Sequence, residues 1–211
     1  MAKPFGVLAS GLLALTAGHV PGTAQQAPVN LRPTRDVVVD ITTTVQGPGR
    51  TESIAGRAAW LVAEGLVRIE TQGVPGWTLL DRKRGRAVMV MDDRRAVVPL
   101  PPAMAALVLR EVPSDVPFSR QGTDAVAGHD CVDWRVALPH GDSLICLTAD
   151  GVMLRWAPAV QNPVAPGTPM SKVEATAISY RAQDPARFRI PPGYAVLELP
   201  RFETPGAAPP R

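Results

Sequence analysis

Both cysteines of the chain, Cys131 and Cys146, fall in the stretch Gly128–Val152 together with His129, His140 and four aspartates, Asp130, Asp133, Asp142 and Asp150. Thiolates, imidazoles and carboxylates are the side chains of zinc sites and of acid–base catalysis. Their spacing argues against both. Zinc sites are usually built from close pairs such as C-x-x-C, whereas these cysteines stand far apart and His140 falls in a turn. The same spacing excludes a C-x-x-C redox centre. His129-Asp130 could form half of a dyad, but no G-x-S-x-G elbow accompanies it, and Ser114, Ser119 and Ser143 are unmarked. Asp92 and Asp93 are adjacent, so in a strand they would point to opposite faces; they suit a charged hairpin turn. Arg82–Arg86, "RKRGR", reads as a solvated turn. No catalytic residue, metal ligand or cofactor is predicted, and the protein is expected not to be an enzyme.

The N-terminus sets the redox context. Lys3 precedes an apolar run from Val7 to Ala17, and Gly22 and Ala24 place small residues where a signal peptidase cuts. The run is too short to span a bilayer. Residues 1–24 are therefore expected to be a cleavable signal peptide, and the mature protein to be periplasmic, with no transmembrane segment. In such a compartment two cysteines most simply form one disulfide, Cys131–Cys146. Strand phase agrees: Val132, Trp134, Val136 and Leu138 share one face, and Cys131, Asp133 and Arg135 the other. Cys146 lies opposite Ile145 and Leu147 in phase, so both cysteines are predicted on the same, outer face of a hairpin. Direct pairing centres that hairpin between Leu138 and Pro139, before the turn residues "PHGD". A bulge or a diagonal pairing would reconcile the two.

Most of the remaining chain reads as strands. "RDVVVDITTTVQG" alternates with period two and is rich in β-branched residues. "GRAAWLVAEGLVRIETQG" reads as two strands broken at Glu64-Gly65, and further strands follow with turns at Lys83–Gly85 and Asp92–Arg94. "PPAMAALVLRE" differs: Pro102 suits a first helical turn, and Met104, Leu107 and Val108 share a face. "ARFRIPPGYAVLELPRF" is expected as a final extended segment. The fold class is mainly β: a curved antiparallel sheet or open half-barrel of about ten or eleven strands, with one or few short helices. The expected organisation is a flexible arm at 25–34, one β-rich domain at 35–202 and a disordered tail at 203–211.

The net charge of +3 comes with no dense basic stripe and only 5% aromatic residues, so nucleic acid is not an expected partner. Trp60, Trp77, Met89, Met91, Trp134 and Trp156 are spread over the predicted strands. They would be ordinary core in a closed sandwich, or the lining of an apolar pocket in an open barrel.

The segment "GLVRIETQGVPGWTLLDRKRGRAVMVMDDRRAVVPLPP" resembles a section of the periplasmic lipoprotein-carrier-like (LolA/LolB-like) superfamily, in which a strand, a "LLDR..G" hairpin and a proline-led helix follow in that order. "GTDAVAGHDCVDWRV" with "ICLTADGVMLR" resembles a matching section of an uncharacterised periplasmic family of unknown function. The resemblance implies a half-barrel that wraps a helix, with a concave face that accepts acyl chains in the carriers. The expected function is thus non-enzymatic binding of an acyl chain or other hydrophobic ligand. Trp60, Met89, Met91 and Trp134 are candidate contacts, with the helix carrying Met104 and Leu107 as plug or lid. The alternative is an envelope protein–protein interaction module with a filled core and no ligand. A monomer is expected in either case.

Overall fold

The structure, a computed structural model, describes residues 27–47, 49–108, 112, 115–138, 141–159 and 170–198. The predicted signal peptide, the C-terminal tail, Ser114 and His140 lie outside the described residues. Six strands come first: β1 (Val37–Gly47), β2 (Arg50–Leu61), β3 (Leu66–Thr71), β4 (Trp77–Asp81), β5 (Arg86–Met91) and β6 (Ala96–Pro99). Each pairs antiparallel with the next. The break expected at Glu64-Gly65 is a 3-10 turn, Val62–Glu64, closed by Gly65 in the left-handed region at φ 70°. A short helix, α1 (Pro102–Val108), follows with proline at its first position.

The second run comprises β7 (Phe118–Val126), β8 (His129–Val136), β9 (Ser143–Leu147), β10 (Met153–Pro158) and β11 (Met170–Ser179). β11 returns to pair with β1, which joins both runs into one open sheet. A twelfth strand, β12 (Ala195–Val196), adds in parallel to β6. The order is β12-β6-β5-β4-β3-β2-β1-β11-β10-β9-β8-β7. The mostly antiparallel half-barrel, with one short α-helix among the described residues, is therefore the observed fold.

Cross-strand register defines the inner face. Val37, Trp60, Val67, Leu80 and Ala87 form one row across β1 to β5. Val39, Ala58, Ile69, Thr78 and Met89 form the next row on the same face. Ala105 of α1 is buried against Val67, Leu80 and Ala87, which places the helix on this face. Among the described side chains of α1 the buried contact is Ala105, whereas Met104 is 49% exposed. A small side chain lets a short helix lie close to the sheet. The outer face is covered in part by Phe188, which packs on Val38, Ala59 and Leu61. Phe188 closes a 3-10 turn, Pro185–Phe188, capped by the Asp184 side chain. That turn corrects the expected all-extended final segment. Its signals, an aspartate cap followed by proline, were present in the sequence.

Cys131 and Cys146 form the disulfide, with Cα atoms 5.5 Å apart. Register pairs Asp133 with Cys146 and Val132 with Leu147, so the two cysteines are diagonal neighbours. They stand on the opposite face of this ladder from Trp134 and Ile145, as phase requires. That face is not exposed, however: Cys131 and Cys146 are 3% and 0% accessible, packed with Val37, Val39, Val126, Val152 and Leu154. The prediction of an outer-face staple is corrected by this second layer of apolar contacts, which gathers β1 and the β9–β10 turn into one buried cluster with the disulfide.

Candidate functional site

Three strands carry an extra residue against their partners: Thr176 on β11, Gln121 on β7 and Leu154 on β10. Bulges bend strands and sharpen twist. In a flat sheet Val67 on β3 and Leu147 on β9 would stand roughly 24 Å apart, five strand spacings. Instead both line a single pocket of about 460 Å³, so the sheet curls round on itself. Trp60, Leu66 and Val67 supply one wall, and Leu147, Gly151 and Met153 the other. Leu31, Arg32, Pro33 and Val112 close over it, and Arg82 and Lys83 come from the β4–β5 turn.

Arg82 corrects the reading of "RKRGR" as wholly solvated. Arg84 does stay outside, paired to Asp81 at 2.8 Å. Arg82 is half-buried and faces the pocket. Burial lowers its pKa, and the positive charge of Arg32 lowers it further. Lys83 donates from Nζ to the Ala63 carbonyl at 2.7 Å, which holds its chain across Gly65.

The segment expected as an arm supplies the pocket's outer wall. Asn30 Nδ2 donates to the Ala149 carbonyl at 2.9 Å, and Thr34 N–H to the Asp150 carbonyl at 3.0 Å. Arg35 Nε donates to the Asp150 carboxylate at 3.0 Å, and its guanidinium lies 3.8 Å from the Tyr180 ring centre. Gly151 makes the close approach possible. It has φ of +84°, and an added Cβ would stand 2.0 Å from the Arg32 carbonyl oxygen. A Gly151→Ala variant is expected to lose at least about 2 kcal/mol of stability, from left-handed strain and this clash together. Chemical denaturation measures the loss; an unchanged midpoint would show that the arm does not bind there.

Asp150 also gives this anchor a pH dependence. Burial pushes its carboxyl upward, but hydrogen bonds from Thr148, Arg35 and Tyr180 outweigh that and hold it below the ordinary aspartate range. A depressed carboxylate contributes stability that is fully present above its unfolded pKa, about 3.9, and is lost as pH falls through the lower folded value. Wild type is therefore expected to lose stability below about pH 4 more steeply than Asp150→Asn. Parallel slopes in denaturation series at pH 3–6 would rule this out.

A second, more open cleft of about 1260 Å³ is lined by Asn30, Arg120, Asp124, Asp130, Trp134 and Thr148, among others. Asp124 is tied to Arg155 at 2.8 Å, and Arg155 also reaches Asp133 at 2.9 Å. These carboxylates are thus committed to a structural ion-pair network. The His129 ring meets Tyr180 edge-on, with centroids 5.9 Å apart. Asp92 accepts from the Tyr194 hydroxyl at 2.9 Å in the β5–β6 turn, as the turn reading expects. No group of three or more metal-ligating side chains occurs among the described residues.

The candidate contacts are distributed unevenly. Trp60 lines the smaller pocket. Met89 and Met91 are half-buried on the same inner face, on β5, outside the lining of that pocket. Trp134 is 7% exposed, packed with Val136, Ile145 and Leu147 and edge-on to Phe118 at 6.3 Å, and it touches the larger cleft. Met104 and Leu107 both lie on α1; the Leu107 side chain is outside the described residues. Trp77 faces the other way, under the Arg68 guanidinium at 4.0 Å. Phase alone missed Arg32, Arg82, Leu147 and Met153, because the curl and the arm bring them together.

No family model matches the chain, and no curated protein matches it. Solved structures do. An uncharacterized conserved protein from Thermus thermophilus is similar with TM-score 0.53 and 12% identity, over 78% of this chain and 91% of that one. The complex of MucA and MucB from Pseudomonas aeruginosa is similar with TM-score 0.49 and 15% identity, over 74% of this chain and 56% of that one. A LolA superfamily protein from Nitrosomonas europaea follows with TM-score 0.41 and 9% identity, over 75% and 92%. At such identities the likeness is one of architecture: the chain has the open, curled antiparallel sheet of the Thermus protein, spanning nearly that protein's whole length.

Proposed function

We propose that this is an exported, periplasmic, non-enzymatic protein that holds an acyl chain or similar hydrophobic ligand in the pocket between Trp60, Val67, Leu147 and Met153. The observation that carries this reading is the pocket itself. It lies on the inner face, is mainly apolar, and its volume of about 460 Å³ falls in the roughly 300–1,000 Å³ range of ligand sites. Apolar burial, at roughly 25 cal/mol per Å², would supply the affinity. The signal-peptide pattern at residues 1–24 supports the location.

Native mass spectrometry of protein recovered from periplasm, with titration of a hydrophobic dye, tests the reading. Bound lipid and saturable dye binding are expected, and Trp60→Ala should weaken dye binding about tenfold through lost aromatic contact. Protein free of lipid that also binds no dye would contradict it. A second reading, an envelope interaction module, is favoured by one feature: β7 is a nine-residue edge strand that offers backbone groups to a partner strand. Capture of one reproducible partner, lost when proline is placed in β7, would support that reading.

A further inference from the structure

The two cavities abut along the N-terminal arm. Ala27–Asn30 line the larger one and Leu31–Pro33 the smaller. The connection from β9 to β10 divides in the same way: Thr148 and Ala149 face the larger cavity, Gly151 and Met153 the smaller, and Leu147 lines both. Arm and turn together thus form a partition between neighbouring spaces that share a wall.

The arm is fixed at its C-terminal end. Asp36 accepts hydrogen bonds from Val62 N–H at 2.8 Å and from Gln183 N–H at 3.0 Å, and Val37 beside it is fully buried. Ahead of Asp36, hydrogen bonds tie the arm to the turn at the surface: Asn30 to Ala149, and Thr34 and Arg35 to Asp150. The Arg35 side chain is 62% exposed and Val29 94%. Exposed ion pairs contribute little each, and segments with few buried apolar contacts open locally at a fraction of the cost of unfolding. Leu31, half-buried against the Trp134 cluster, would give up an apolar contact on opening. A ligand chain in the same place would restore it.

The volume says when opening is needed. At roughly 30 Å³ per water-sized group, a cavity of about 460 Å³ holds about fifteen such groups. A shorter chain fits with the arm in place. A longer one needs the neighbouring space of about 1260 Å³, reached past Leu147.

We infer that the arm is a displaceable gate, hinged at Asp36, that sets how long an acyl chain the protein accepts. The methyl end of a long chain lies against Trp60 and Val67. Its head end passes under the lifted arm into the larger cavity, where Asn30, Thr123 and Thr148 offer polar groups. This rests on the reading of the smaller pocket as an acyl-chain site and adds to it a length threshold and the segment that enforces it.

Two neutral probes test it on the purified mature protein: monodecanoylglycerol, whose chain is below the limit, and monooleoylglycerol, whose chain is above it. Amide hydrogen exchange at Thr34 reads the arm, and stopped-flow tryptophan fluorescence reads binding. The oleoyl probe at saturation should speed Thr34 exchange at least about tenfold, and the decanoyl probe should leave it unchanged. Thr34→Pro/Arg35→Ala, which removes both ties to Asp150, should bind the oleoyl probe at least about fivefold faster than wild type. Its rate with the decanoyl probe should match wild type, which also controls for folding. Thr34 equally protected with and without the oleoyl probe would overturn the displacement. Release of the arm by both probes alike would overturn the length threshold. An oleoyl rate unchanged in the double variant would overturn the arm as the gate. Each of these leaves the acyl-chain site standing, whereas no binding of either probe would overturn that reading as well.

Discussion

Replacing Trp134 by alanine is expected to lower stability by about 3–5 kcal/mol, the cost of emptying a large aromatic site in a core. The indole is 7% exposed and packs among Val136, Ile145 and Leu147. Phe118 meets it edge-on, and Leu31, Val112, Val116 and Trp156 pack around the same cluster. These neighbours come from the arm, the segment after α1 and the second run of strands, so the cavity left behind has several walls and little freedom to collapse. Urea denaturation monitored by circular dichroism would give the value. A loss below about 1 kcal/mol would mean that the site is solvated and that Trp134 belongs to a binding surface rather than to the core. Trp60→Ala is expected to cost less, because one side of that ring already faces the pocket.

Removal of the disulfide is the second large effect. Cys131 and Cys146 close a loop of sequence separation 15, for which chain entropy gives about 3 kcal/mol. The Cys131→Ala/Cys146→Ala variant should lose about that much, with a further small loss from packing against Val37 and Leu154. Because both sulfurs are buried, reductant should act on the native protein slowly and only through local opening of the β8–β9 hairpin. Fast reduction without denaturant, or a double variant as stable as wild type, would refute this placement.

Strands and staple were legible for a definite reason. Alternation in "VVVDITTTV" and "CVDWRVAL" is a local property, and it survives in the structure as β1 and β8. Comparing that phase with the turn residues left a bulge or a diagonal pairing open, and the ladder register settles it as diagonal. Curvature was not legible in the same way. It depends on Thr176, Gln121 and Leu154 lacking partners in ladders between distant segments, and no local pattern marks them. Burial of the cysteine face was missed for the same reason, since β1 and the β9–β10 turn cover it from afar. The pocket needed one more contact. Gly151 has no side chain, so the backbone of Arg32 can lie against it and carry Leu31 and Arg32 over Trp60. A glycine in "ADGVM" reads as a turn, and nothing in its neighbourhood names the residue that docks there. Trp60 was named as a large apolar residue on a predicted strand; Arg82 was missed because a turn arginine is solvated by default.

The proposed function rests on an apolar chain occupying the space between Trp60, Val67, Leu147 and Met153. A crystal structure of the mature protein with a terminally brominated fatty acid is the decisive experiment, through the anomalous signal of bromine. Bromine is expected inside the pocket, against these four residues. Bromine confined to the larger cleft beside Asp124 and Trp134, or a pocket closed by its own side chains with no bromine in it, would contradict the proposal.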